Sequence, residues 1–185
     1  MTSTESTMIH GVMMRVFDYG VLFTGESGIG KSEVALALIH HGHQLIADDI
    51  VEVSKSNQHL IGASPTSLRN FLEVRGIGVL NIQAMFGDLA VGEACPIKLI
   101  IHLEPMEQID KRKMDRLHGM HLSQEILGIT VPQITIPVAS GRNMAVLTEC
   151  AIRNEILKLE GYDAAEDFRQ QLRDRIQSSE NSNDS

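Results

Sequence analysis

Eight consecutive residues, Gly25-Glu26-Ser27-Gly28-Ile29-Gly30-Lys31-Ser32, satisfy the pattern G-x-x-x-x-G-K-[ST] at every constrained position. Glycines at these spacings let successive backbone N–H groups converge on phosphate oxygens, and a helix that follows adds its positive end. In such a loop Lys31 reaches the β and γ phosphate oxygens, and the Ser32 hydroxyl binds Mg²⁺. The competing reading is a flexible glycine turn carrying a solvated lysine. The flanks weigh against it, since an apolar run at 21–23 precedes the loop and a helical run follows. The segment points to a nucleoside triphosphate or another polyphosphate.

Asp48 and Asp49 follow Lys31 by 17 and 18 residues, at the end of a short apolar run at 45–47. Neighbouring side chains on an extended strand project to opposite sides. One carboxylate can then complete a metal shell while the other faces an acceptor hydroxyl and takes its proton. A turn or cap pair is the alternative, and it loses ground beside a phosphate loop. In many phosphate-loop ATPases the metal-linked Asp lies much further along the chain, so this is not an ordinary Walker pair. Further on, Leu72-Glu73-Val74-Arg75-Gly76-Ile77-Gly78-Val79-Leu80-Asn81 combines a carboxylate, a guanidinium and two glycines two apart. Glu73 suits a metal ligand and Arg75 a phosphate clamp, although a structural ion pair beside a turn is commoner.

Positioning these groups takes an α/β framework. Runs at 9–16 and 21–24 lean toward strand and are separated by a turn signal at 18–20. Residues 33–40 carry a compact helical pattern that Gly42 stops. Runs at 51–53 and 59–61 flank a polar turn, as a hairpin would. The stretch 62–96 reads as irregular apart from a helical fragment at 82–86, and 97–103 as a buried strand. Residues 104–130 read as a mobile polar loop, and 134–138 as a strand. Helices follow at 143–160, stopped by Gly161, and at 164–177, where Phe168, Leu172 and Ile176 recur every four residues. The expectation is one phosphate-loop domain at 8–177, with a mixed, twisted central sheet flanked by helices. A disordered lead-in at 1–7 and a disordered tail at 178–185 frame it.

Composition narrows the function classes. The 185 residues carry 16 Lys+Arg against 24 Asp+Glu, a formal charge of −8. That balance argues against a nucleic-acid binder working through a broad basic face. No apolar run approaches the roughly 20 residues of a spanning helix, and no signal sequence opens the chain, so the expectation is a cytoplasmic protein away from membranes. Cys95 and Cys150 read as buried free thiols. The histidines His40, His41, His43, His118 and His121 read as solvated, with no Cys or carboxylate completing a metal set. The scattered methionines read as core filler. Lys111-Arg112-Lys113 reads as a solvated loop, with docking of a partner protein as the alternative.

Taken together, the loop, the closely following Ala47-Asp48-Asp49, and the 72–82 segment ending in Met85-Phe86-Gly87 resemble the catalytic domain of bacterial HPr kinase/phosphorylase. Ile9-His10-Gly11-Val12, Asp115-Arg116-Leu117 and Ile136-Pro137-Val138-Ala139-Ser140-Gly141-Arg142-Asn143 add to the likeness, which runs in order from about residue 8 to 175. The resemblance implies a kinase that uses ATP, or in some members pyrophosphate, to phosphorylate a regulatory serine of the phosphocarrier HPr. It implies the reverse as well, phosphorolysis of phosphoserine by inorganic phosphate to give pyrophosphate.

Carried over by position, Lys31 corresponds to the phosphate-binding lysine, Ser32 and Glu73 to Mg²⁺ ligands (Mn²⁺ being a possible substitute), and Asp48 lies beside the metal. Asp49 corresponds to the base that takes the serine proton and returns it in reverse. His10 and Arg116 match active-site positions. Residues 72–81 match a segment linked to both directions, and 137–142 one linked to phosphorolysis. Hexamers are usual in the family, with the terminal helices at subunit contacts. Two departures stand out: the family's extra N-terminal domain has no counterpart here, and His118 is inserted after Asp115-Arg116-Leu117. A small-molecule phosphate-loop kinase or ATPase, and a non-catalytic nucleotide-sensing regulator, are the alternative functions.

Overall fold

The computed structural model describes residues 5–183, with side chains described as far as Ser178. In chain order the elements are β1 (Ser6–His10), β2 (Val12–Val16), β3 (Tyr19–Gly25), α1 (Lys31–His40), β4 (Gln44–Ala47), β5 (Ile50–Ser56) and β6 (His59–Ala63). Then come β7 (Phe71–Val74), β8 (Gly78–Asn81), α2 (Ile82–Phe86), β9 (Ala94–Pro105), β10 (Met120–Ile126), β11 (Ile129–Val138), α3 (Met144–Leu159) and α4 (Ala164–Asn183).

Strand β9 organises the main sheet, whose order is β1-β5-β6-β9-β3-β2-β4, with β11 also on β9 and β10 outside it. Its residues 94–96 pair antiparallel with β6, 97–103 parallel with β3, and 100–105 parallel with β11. The sheet is therefore mixed, and β7–β8 form a separate antiparallel hairpin. Val21, Leu22 and Phe23 are fully buried, as a central strand covered on both faces must be. Alternation then divides the core. Val21, Phe23, Leu99 and Ile101 pack with Val34 and Leu38 of α1 and Ile152 of α3, while Leu22 and Ile100 pack with Met13, Val51, Val53 and Leu60. Each such side chain contributes roughly 1.5–3 kcal/mol by leaving water. Between them the two clusters fix the end of β3 from which the glycine-rich loop departs.

Several elements differ from the sequence expectations. Within 62–96, read as irregular, β7 and β8, four residues each, form a hairpin whose outer face exposes Phe71, Glu73 and Val79. Within 104–130, read as a mobile loop, β10 pairs along its length with β11. Only Ile126 of β10 is buried, because a sheet edge tolerates polar side chains and so loses the apolar signal of a strand. Strand β1 begins at Ser6 and α4 continues to Asn183, inside the segments expected as polar tails; 1–4 and 184–185 lie outside the described residues. Cys95 is buried as expected, whereas Cys150 is exposed on α3.

His43 departs from a solvated reading, whereas His40, His41 and His121 are exposed. His43 is buried, and its Nε2 lies 2.9 Å from Glu149 Oε1, while His41 Nδ1 lies 2.9 Å from Glu149 Oε2. One carboxylate of α3 thus fastens the C-terminal end of α1. The partner sits more than a hundred residues away, beyond the reach of local spacing. His118 Nδ1 lies 3.3 Å from Asp115 Oδ2, and His121 Nδ1 lies 3.6 Å from Glu155 Oε2. Among the described residues no group of His, Cys, Asp or Glu is arranged to hold a metal by itself.

Candidate active site

Residues 26–30 connect β3 to α1, and the glycine-rich segment 25–32 spans the end of the strand, that loop and the start of the helix. Gly25 has φ 139°, and a Cβ there would stand 2.4 Å from the Leu103 carbonyl oxygen, so the loop leaves the sheet by pressing glycine backbone against β9. Gly30 caps α1 with φ 109°, and no side chain bonds the helix N-terminus. Its first-turn amides are thereby left to an anion, and the helix dipole favours one. Lys31 is 8% exposed, and its Nζ donates to the carbonyl oxygens of Gly25 and Glu26, both at 2.9 Å. Desolvation draws its pKa below the ordinary value, and the charges of Asp48, Asp49 and Glu33 partly offset this.

Facing the loop, the chain turns from β4 into β5 through Asp48 and Asp49. Asp49 takes φ 64°, a left-handed conformation that Asp tolerates better than most residues, and its carbonyl accepts from Gly11 N–H at 3.0 Å. The two carboxylates part, but through the turn and not through strand alternation, since neither residue lies in a strand. Asp48 accepts from the Ser32 hydroxyl at 3.4 Å and from Glu73 N–H at 2.8 Å. Burial pushes its pKa up against the pull of the Glu73 and Asp49 backbone N–H groups. Asp49 turns instead toward His10, with Oδ1 3.1 Å from Nδ1, both side chains more than half exposed. Register explains the encounter: His10 ends β1 opposite Ile50, the first residue of β5.

One cleft of about 170 Å³ collects His10, Ser27, Gly28, Gly30, Lys31, Ser32, Asp48, Asp49, Glu73 and Arg75. Four carboxylates line it, from Glu33, Asp48, Asp49 and Glu73, against two cations, Lys31 and Arg75. Two lining residues escaped the sequence reading. Gly11 carried a signal in its place beside His10, whereas Glu33 reads from sequence as an ordinary first-turn helix acid.

Arg116 lies elsewhere. It is exposed and lines a second cleft of about 600 Å³ with Lys111, Met114, Pro137 and Arg142. Arg142 Nη1 donates to the Pro137 carbonyl at 2.6 Å, closing the turn after β11. Asp115 accepts from Leu117 and His118 N–H groups at 2.7 and 3.0 Å, which together with the His118 ring lowers its pKa to about 2. Arg116 and Pro137–Arg142 are thus gathered with one another, but apart from the glycine-rich loop.

Fold and cleft together define a class: a mixed-sheet α/β domain with a glycine-rich strand-to-helix loop facing a cluster of carboxylates. Comparison with known proteins makes this specific. A family model described as HPr Serine kinase C-terminal domain matches residues 2–172, and the chain belongs to that family. It is 45% identical over 180 residues to the HPr kinase/phosphorylase of Chromobacterium violaceum, covering 97% of this chain and 57% of that protein. It is 49% identical over 175 residues to that of Leptothrix cholodnii, covering 94% and 54%. The chain thus spans little more than half the length of these curated relatives. The solved Hpr(Ser) kinase/phosphatase of Coxiella burnetii superposes with TM-score 0.81 at 38% identity, covering 88% of this chain and 98% of that one.

Proposed function

We propose that this chain is the catalytic domain of a cytoplasmic serine kinase/phosphorylase acting on HPr, with residues 25–32 as its phosphate loop. It transfers the γ-phosphoryl group of ATP to the regulatory serine, and returns it to inorganic phosphate as pyrophosphate. The observation that carries the reading is the meeting, in one cleft, of the loop, Lys31, Ser32, Asp48, Asp49 and Glu73. The names of the relatives support HPr as the acceptor, and a hexamer is the assembly proposed with it.

The donor set fits Mg²⁺. The Ser32 hydroxyl and the Asp48 and Glu73 carboxylates are hard oxygen ligands, and they are too few to enclose an ion without phosphate oxygens, which is how Mg²⁺ is ordinarily held. A lining with more acids than bases also repels a bare polyphosphate, so nucleotide enters as its metal complex. Bound there, Mg²⁺ would supply charge neutralisation on the phosphates.

The protein groups then divide the work. Loop amides and Lys31 hold the phosphates and fix their orientation. Asp49 accepts the hydroxyl proton of the incoming serine, and His10, in contact with its Oδ1, keeps that carboxylate facing the acceptor. In the reverse direction Asp49 returns the same proton to the departing serine oxygen. Positioning and charge dominate phosphoryl transfer, so one site serves whichever phosphate occupies the loop.

Incubation with HPr, Mg²⁺ and ATP, followed by phosphate, tests this. Phosphoserine on HPr should appear first, then decline as pyrophosphate accumulates. Tight ATP binding without either product would overturn the proposal.

A further inference from the structure

Two cations line the cleft, and they stand in different situations. The Lys31 ammonium is already engaged by two carbonyls of its own loop. The Arg75 guanidinium has, among the described residues, no hydrogen-bond or ion-pair partner, although it shares the cleft with four carboxylate residues. Its position is nevertheless defined. A Cβ at Gly28 would stand 2.8 Å from Nη2, 3.1 Å from Nη1 and 3.2 Å from Cζ. Both terminal nitrogens stand nearer than Cζ, so the open end of the fork is turned toward the loop at Gly28. The hairpin bearing it is pinned to the site, because Glu73 N–H donates to Asp48 Oδ2 at 2.8 Å.

We propose that Arg75 is the chain's own arginine finger, the cation that neutralises the phosphoryl group as it passes between the loop and the acceptor beside Asp49. Gly28 lacks a side chain so that the fork can reach that place. The inference rests on the kinase/phosphorylase reading and deepens it. In the forward step the serine oxygen bonds to the γ phosphorus while the bond from that phosphorus to the bridging oxygen breaks. The bridging electron pair leaves with the diphosphate, and the hydroxyl proton passes to Asp49. Charge on the non-bridging oxygens meets two parallel N–H donors, the geometry a guanidinium offers and an ammonium does not. In reverse, a phosphate oxygen bonds to the phosphoserine phosphorus, the serine oxygen departs and takes the proton from Asp49, and the same fork faces the same phosphorus. Arg116, in its separate cleft, is not placed to do this within the chain.

The test compares wild type, Arg75→Ala and Arg75→Lys on HPr in both directions, with nucleotide affinity, melting temperature and rescue by free guanidinium ion measured alongside. Arg75→Ala should lower kcat by about 10²–10³-fold in both directions, the usual effect of deleting one charge-stabilising donor. Melting temperature should hardly move, because the side chain is exposed, and kcat should fall by far more than nucleotide affinity. Arg75→Lys should recover part of the loss, and millimolar guanidinium should raise turnover of Arg75→Ala but not of wild type. Undiminished kcat in Arg75→Ala beside an active wild type would overturn this proposal alone. Absence of transfer by the wild type would overturn the parent reading with it.

Discussion

Asp48 shows how the cleft trades stability for chemistry. Its pKa is raised above the ordinary 3.8, mainly by burial, so the folded protein binds its proton more tightly than the unfolded chain does. The stability contributed by that difference is fully present below pH 3.8 and is lost as pH rises through the folded-state value. Ionised Asp48 is therefore a cost at neutral pH. Asp48→Asn keeps an acceptor for Glu73 N–H and removes the charge. It is expected to melt higher than wild type at pH 7, with the gap closing in acid, while Mg²⁺-dependent activity falls. A lower melting temperature for Asp48→Asn at neutral pH would refute this. At this scale the sequence was most legible where chemistry is local. Loop glycines, Lys31, Ser32 and the acidic pair announce themselves by spacing, as does Glu73 by its neighbours. Arg116 is the contrast, because its place depends on how the segment after β9 folds back over β11.

Helix α1 is held at both ends by contacts that sequence spacing reveals unequally. At its start the glycine pattern says that backbone must approach closely, and Gly25 does approach the Leu103 carbonyl. Gly25→Ala would force a Cβ into that oxygen at a φ few side chains adopt. We expect it to abolish nucleotide binding, measured by calorimetry, and to lower the melting temperature. At the other end, Glu149 receives His41 and His43. Glu149→Ala leaves buried His43 without its partner, which should cost about 1–3 kcal/mol. That corresponds to a drop of roughly 2–12 °C in melting temperature for a chain of this size. No change would show the contact to be idle. The missed elements have a common cause. Strand β10 buries only Ile126, and β7 alternates buried and exposed residues over just four positions, so neither carries the continuous apolar run that betrayed β3 and β9.

For the molecule as a whole, the sequence allowed an α/β framework to be read but not its strand order. Parallel pairing of β9 with both β3 and β11 joins segments far apart in the chain, and no local pattern encodes that. Helix α4 leaves Phe168, Leu172 and Ile176 exposed at 52%, 44% and 57%, a stripe consistent with the assembly expected of the family. Paired Phe168→Asp and Leu172→Asp changes should reduce the particle mass seen by light scattering while leaving the melting temperature of the protomer nearly unchanged. A particle mass that stays the same would remove α4 from the assembly. Among the described residues no helix is long and apolar enough to cross a membrane.

One carboxylate serving both directions from one cleft is the core of the proposed mechanism, and Asp49→Asn examines it directly. Phosphoserine formation from ATP and pyrophosphate formation from phosphoserine-HPr should be measured on the same preparation, together with nucleotide affinity. Both activities should vanish while ATP still binds. Phosphorolysis that survives in Asp49→Asn would mean that the proton is returned from elsewhere, and that two sites rather than one carry the chemistry.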